Sequence, residues 1–147
     1  ILVKIVVGSD HAGYELKEAI KEKLQNDGYE VADVGCFSTE SVDYPKYGHA
    51  VGKAVANGEA ERGVCVCGTG IGISIAANKV PGIRAAVVTS EWQAEMTRAH
   101  NDANVLCMGG RVVDQDLAFA MVDKWLNTEF MGDKHLRRIS ELEDLDF

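Results

Sequence analysis

Val64-Cys65-Val66-Cys67-Gly68-Thr69-Gly70-Ile71-Gly72-Ile73-Ser74 is the stretch on which the fold turns. Gly63 and the small, β-compatible residues after it have the form of a buried strand's end. Glycines at 68, 70 and 72 cannot continue that strand, and Ile73 to Lys79 predicts the body of a helix. The pattern is strand, tight glycine turn and helix start, with the Cys67 thiol on the last strand residue. Such a turn leaves several backbone N–H groups aimed at one spot, at the positive end of a helix dipole. An anion or a developing oxyanion is stabilised there. The same field is expected to lower the pKa of Cys67.

Two familiar phosphate motifs are near misses. A P-loop needs a lysine that is absent from this spacing, and the dinucleotide fingerprint needs Gly-x-Gly-x-x-Gly where these glycines alternate. A non-catalytic nucleotide-binding module, with Glu91 as its ribose-binding acid, therefore stands as an alternative, as does a plain turn with no ligand. Cys67 in isolation would more often be a small buried hydrophobe; its place directly before the amide cradle favours chemistry.

Working outward, Leu2 to Val7 is an apolar run broken by Lys4, the pattern of a strand buried on both faces. Gly8 to Gly13 turns the chain into an amphipathic helix from Tyr14 to Gln25. A strand over Tyr29–Val34, a loop over Gly35–Tyr44 and a helix from Pro45 to about Ala56 follow. Beyond the glycine turn come a strand over Ile83–Val88 and a helix from the capping-box sequence Ser90-Glu91-Trp92-Gln93 to about His100. A strand at Asn104–Met108, a helix at Asp114–Leu126 and a charged tail helix at Asp133–Leu145 complete the chain.

Strands alternating with helices imply right-handed crossovers. The expected fold is α/β: a three-layer, doubly wound (Rossmann-like), five-stranded parallel sheet with helices on both faces and a C-terminal helical tail, one domain across residues 1–147. Ligands of such sheets sit beyond the carboxyl ends of the strands. Asp10-His11, Cys67-Gly68-Thr69, Thr89-Ser90, His100-Asn101 and Gly110-Arg111 are the polar groups expected to gather there. Each also has an ordinary structural reading. Asp10 can simply cap the first helix, His100-Asn101-Asp102 can be a helix end, and Lys134, His135, Arg137 and Arg138 can be a solvated face or an arginine clamp on phosphate.

A net charge of −8 argues against nucleic acid or anionic lipid as a partner, though a small phosphorylated substrate needs only a local basic cluster. No apolar run approaches a bilayer span, and no basic stretch precedes a signal-type apolar run at the start. The four cysteines, Cys36, Cys65, Cys67 and Cys107, form no C-x-x-C pair, which disfavours zinc and dithiol redox chemistry. Cys65 and Cys67 are placed on opposite faces of their strand, and a reduced, cytoplasmic compartment is expected.

With these residues in hand, the chain resembles the B-type ribose-5-phosphate isomerases, in the family that also holds galactose-6-phosphate and allose-6-phosphate isomerases. The resemblance runs nearly end to end. It rests on Gly8-Ser9-Asp10-His11-Ala12-Gly13, Asp43-Tyr44-Pro45, Cys67 through Ser74 and Ala77-Asn78-Lys79. It continues through Pro81-Gly82-Ile83-Arg84-Ala85, His100 through Val105 and Gly110-Arg111-Val112-Val113. It implies aldose–ketose interconversion of ribose 5-phosphate and ribulose 5-phosphate through a cis-enediolate, without metal or cofactor. Cys67 matches the general base, and Ile73 stands where some members carry a glutamate. The N–H groups of Gly68, Thr69, Gly70, Ile71 and Gly72 match the enediolate cradle, with Thr69 helping to move a proton between the two oxygens. His100 matches the proton donor for ring opening. Asp10, counted also with the catalytic group, His11 and Asn101 match substrate-binding positions. Arg111, Lys134 and Arg138 match phosphate-binding positions, with His135 a further candidate; Lys134 replaces the arginine common there. The resemblance also implies a homodimer, or a dimer of dimers, whose sites draw groups from both subunits.

Overall fold

The computed structural model describes residues 4–146. Its elements are β1 (Lys4–Ser9), α1 (Tyr14–Asn26), β2 (Glu30–Asp33), α2 (Tyr44–Ala56), β3 (Arg62–Cys67), α3 (Ile71–Asn78), β4 (Ala85–Val87), α4 (Glu91–Ala99), β5 (Val105–Gly109), α5 (Gln115–Asn127) and α6 (Lys134–Glu143). Leu2 and Val3, expected to open the first strand, lie outside the described residues.

The strands form one parallel sheet in the order β2-β1-β3-β5-β4. The chain winds outward in opposite directions from β1 and β3, so the crevice between their carboxyl ends is the topological switch point. Val64, Val66, Leu106 and Met108 pack on the layer of α1, α4 and α5, where Ile20, Leu24, Ala94, Met121 and Trp125 are buried. Val6, Cys65, Cys67 and Cys107 pack on the other layer, against Val51 and Ala54 of α2 and Ile73 and Ala77 of α3. Cys65 and Cys67 therefore share one face. The expectation that they oppose each other fails because side chains alternate along a strand, so positions i and i+2 point the same way.

Two element ends differ from their sequence-based bounds for local reasons. Gly70 takes a left-handed φ of 82° as N-cap, so α3 begins at Ile71, two residues before the expected Ile73. β4 keeps only Ala85–Val87 because side-chain amides take over the backbone groups at its start: Asn104 Oδ1 accepts from Arg84 N–H and Asn78 Oδ1 from Ala85 N–H. The capping box at α4 forms with a shift, since Ser90 Oγ accepts from Gln93 N–H while Gln93 Oε1 reaches back to Thr89 N–H. The tail helix α6 lies on the body through a narrow face and buries only His135 and Ile139.

Candidate active site

At the carboxyl edge, the exits of β1, β3 and β5 interlock because glycines let backbones touch. A Cβ on Gly13 would collide with Val66 O, one on Gly109 would stand 2.6 Å from Thr69 C, and one on Gly110 2.8 Å from Ala12 O. Asp10 N–H donates to Val66 O at 3.2 Å, Gly110 N–H to Cys67 O at 2.8 Å and Arg111 N–H to Gly68 O at 3.0 Å. Within this knot Asp10, nearly buried, accepts from Gly13 N–H through Oδ1 at 3.0 Å and closes the turn before α1, whose N-cap is Gly13 and not Asp10. His11 is held from the β2–α2 loop, its Nδ1 lying 3.1 Å from Val42 N and 3.2 Å from Val42 O. The Arg111 guanidinium lies over the turn, Nη1 standing 3.3 Å from where a Gly68 Cβ would be.

Cys67 is 4% exposed, but its sulfur is not lost in hydrocarbon: Gly70 N–H donates to Sγ at 3.1 Å. The first turn of a helix leaves the N–H groups of its N-cap and first three residues without intrahelical acceptors. Here those are Gly70, Ile71, Gly72 and Ile73. Gly70 serves the thiol and Ile71 donates to Thr69 Oγ1 at 3.2 Å; Ile73 is fully buried, which leaves the half-buried Gly72 N–H of this turn for a ligand. Two of the five expected cradle donors, Gly70 and Ile71, already hold side chains. The neighbouring thiol of Cys107 differs: full burial, then hydrogen bonding with Cys65 and the nearby charges of Cys65 and Cys67, push its pKa well up.

Two contributors to this edge carry no obvious chemical signal in the sequence. Tyr44, at the head of α2, lays its ring where a Cβ on Gly72 would come within 2.6 Å, so glycine at 72 is what admits an aromatic wall beside the amides. Lys17 is buried on α1, where its Nζ donates to both Asp33 oxygens at 2.8 and 2.9 Å and to Cys36 O at 2.6 Å. Cys36 N–H in turn donates to Ser9 O at 2.8 Å, so Lys17 braces the β2 exit against the residue before Asp10. An aromatic before a proline and a lysine on a helix both have commoner uses, which is why neither stands out unaided.

His100, Asn101, Lys134, His135 and Arg138 do not reach Cys67 within the chain. This corrects the expectation that His100-Asn101 gathers at the carboxyl ends. α4 returns the chain from the carboxyl end of β4 to the amino edge, where Asn104 O accepts from Gly63 N–H at the start of β3. The length of β3 from Gly63 to Cys67, about 13 Å at the usual rise per residue, separates the two levels. At the amino edge these groups form a second cluster. The His100 and His135 rings stack with centroids 4.3 Å apart and planes 12° from parallel, and Met131 N–H donates to Ala99 O at 3.0 Å. Loss of solvation, then the cationic neighbours His100, Lys134 and Arg138, lower the His135 pKa against the opposing pull of Asp133. Burial and the neighbouring Arg98, opposed by Asp102, bring Arg62 below this cluster down to about 10.

The family model described as Ribose/Galactose Isomerase matches residues 5–142. The chain belongs to that family. Ribose-5-phosphate isomerase B of Escherichia coli (strain K12) is 46% identical over 143 residues, 97% of this chain and 96% of that protein. The structure of Clostridium thermocellum ribose-5-phosphate isomerase B superposes with a TM-score of 0.95 at 55% identity, covering 96% of this chain and 95% of that one. The crystal structure of Mycoplasma genitalium ribose-5-phosphate isomerase B with bound ribulose-5-phosphate gives a TM-score of 0.91 at 38% identity, covering 96% and 94%. The doubly wound sheet of this isomerase-family chain is that of its solved relatives. No helix among the described residues is long and apolar enough to cross a membrane.

Proposed function

We propose that the protein interconverts ribose 5-phosphate and ribulose 5-phosphate, with Cys67 as the base. The observation that carries this reading is the Gly70 N–H on the Cys67 sulfur, beside the half-buried first-turn amide of Gly72. A donor on sulfur suits a thiolate. The thiolate removes the C2 proton of the open-chain aldose, and the charge moves to O1, where the Gly72 amide and the helix dipole stabilise it. The Thr69 hydroxyl passes the O2 proton to O1. The Cys67 thiol then returns its proton to C1 as the C2 carbonyl forms, so protons and charge balance. Asp10 and His11 orient the sugar hydroxyls.

The amino-edge cluster of a second copy supplies the rest: His100 opens the furanose, Asn101 binds the sugar, and Lys134, His135 and Arg138 join Arg111 on the phosphate. A homodimer, alone or paired into a tetramer, is the assembly this requires, because each chain carries the two half-sites at opposite ends. Four unpaired thiols fit a reducing cytoplasm.

Cys67→Ala is expected to lower turnover of ribose 5-phosphate by about 10²–10⁴-fold, with thermal unfolding little changed. Near-normal turnover would remove Cys67 as the base. Comparing kcat/KM on ribose 5-phosphate with allose 6-phosphate and galactose 6-phosphate tests the sugar, and a preference for either hexose phosphate overturns the pentose assignment. Micromolar binding of NAD or adenine nucleotides without isomerase activity would favour a nucleotide-binding module instead.

A further inference from the structure

Arg84 stands in the Pro81-Gly82-Ile83-Arg84-Ala85 stretch and has no part in the chemistry above. It lies just before β4 at the amino edge, and its side chain is 22% exposed. Each guanidinium nitrogen is committed. Nε donates to Asn101 O at 2.9 Å, Nη2 to Asp102 O at 3.0 Å and Nη1 to Glu143 Oε1 at 3.0 Å. The first two bonds hold the backbone directly after His100, and the third holds the end of the helix that carries Lys134, His135 and Arg138.

The segment it grips is one that needs gripping. Asp102 has a φ of 47°, a left-handed conformation that residues other than glycine adopt only occasionally. Arg98 assists from α4, donating from Nη1 to Asp102 Oδ1 at 2.6 Å and to Ala103 O at 3.0 Å. Arg98 touches only the loop. Arg84 alone among these groups bonds both the loop and α6, so it sets the relation between the two histidines that stack across them.

We propose that Arg84 is a positioning residue that clamps the His100 loop to the C-terminal helix and so pre-assembles the half-site offered to a second subunit. The three-way fork is specific to a planar guanidinium: a lysine at this position keeps the charge but has a single nitrogen, which cannot reach three acceptors arranged around a plane. Misplacing a reacting group by about 1 Å costs on the order of 10²-fold in rate, so the clamp's value is geometric. The kinetic part of this inference rests on the isomerase reading of His100 and α6; the structural part does not.

Three variants separate the arms: Arg84→Met removes all of them, Arg84→Lys keeps the charge, and Glu143→Gln weakens only the arm to α6. The first readout needs no activity. Stacked imidazoles shift each other's ring protons upfield, and NMR of the ligand-free protein should show the His100 and His135 resonances moving toward free-imidazole positions in Arg84→Met and Arg84→Lys, with a smaller movement in Glu143→Gln. The second readout is kinetic. Arg84→Met and Arg84→Lys should lose about 10²-fold in kcat/KM through both constants, whereas Glu143→Gln should raise KM several-fold and keep kcat within about two-fold, because only the phosphate-gripping helix is loosened. Circular dichroism identifies a variant that fails to fold, and Glu143→Gln and Arg84→Lys then decide. Unchanged histidine resonances in folded variants overturn the clamp whatever the activity. Displaced resonances with unchanged kinetics on ribose 5-phosphate preserve the clamp as a structural device and overturn its catalytic consequence, and absence of isomerase activity in the parent protein is a failure of the functional reading alone.

Discussion

Cys67 and Cys107 are both nearly or fully buried on the same face of adjacent strands, yet their surroundings set them to different tasks. Cys107 is enclosed and held protonated by its burial. Cys67, two residues further along in register and at the strand's end, receives an amide N–H on its sulfur. Thiolate, not thiol, is the nucleophile, so a small alkylating agent at neutral pH should label Cys67 well ahead of Cys65 and Cys107, and ribose 5-phosphate should protect it. Peptide mapping by mass spectrometry checks the order. Labelling that begins at Cys107, or that the sugar phosphate fails to slow, would count against a reactive thiol at the sheet's edge. This difference between thiols lies beyond composition: it depends on one amide, that of Gly70, pointing back along the turn.

At the scale of elements, the β3–α3 turn works because Gly70 adopts a φ of 82° with Met108 C only 2.6 Å from where a Cβ would stand. Gly70→Ala should therefore cost at least about 1–2 kcal/mol from the backbone conformation alone, more from the clash with β5, and should lower activity along with stability. Chemical denaturation and turnover together check this, and an alanine tolerated in both would mean the turn is not so constrained. Much of the fold was legible because strand–glycine–helix punctuation is local. What proved illegible depends on geometry beyond the local run: the early start of α3 follows from Gly70's handedness, and the short β4 follows from Asn78 and Asn104 side chains arriving from elsewhere. The displacement of His100 to the amino edge was, by contrast, available in principle, since each helix of a parallel αβ unit carries the chain back to where the strands begin. The tail helix adds a pH dependence. His135 titrates below its ordinary 6.5 in the folded protein, so the folded state binds fewer protons than the unfolded state in that window. The neutral ring imposes no penalty above about 6.5, and stability falls as pH drops from there through the lowered folded value. Between pH 7.5 and 5.5 the wild-type Tm should fall further than that of His135→Gln. Equal falls would mean the stack does not disfavour the charged ring.

On the scale of the whole molecule, the chain holds Cys67, the amides of the glycine turn and Arg111 at one end of the sheet and its stacked histidines and basic tail at the other. On the proposed reading neither end is a complete isomerase site, and intrachain closure would require the sheet itself to fold in half. The proposed homodimer would resolve this, because a two-fold axis that set the amino edge of each subunit against the carboxyl edge of its partner would complete two sites at once. Complementation tests the arrangement directly. Cys67→Ala disables only the carboxyl-edge half, and His100→Asn combined with Arg138→Ala disables only the amino-edge half. When the two variants are unfolded together and refolded as an equal mixture, half of the dimers are mixed, and each mixed dimer has one site with both defects and one with neither. Activity should recover to about a quarter of wild type from two nearly inactive parents. A site confined to one chain predicts no recovery at any mixing ratio, because every chain in the mixture then carries a defect in its own site.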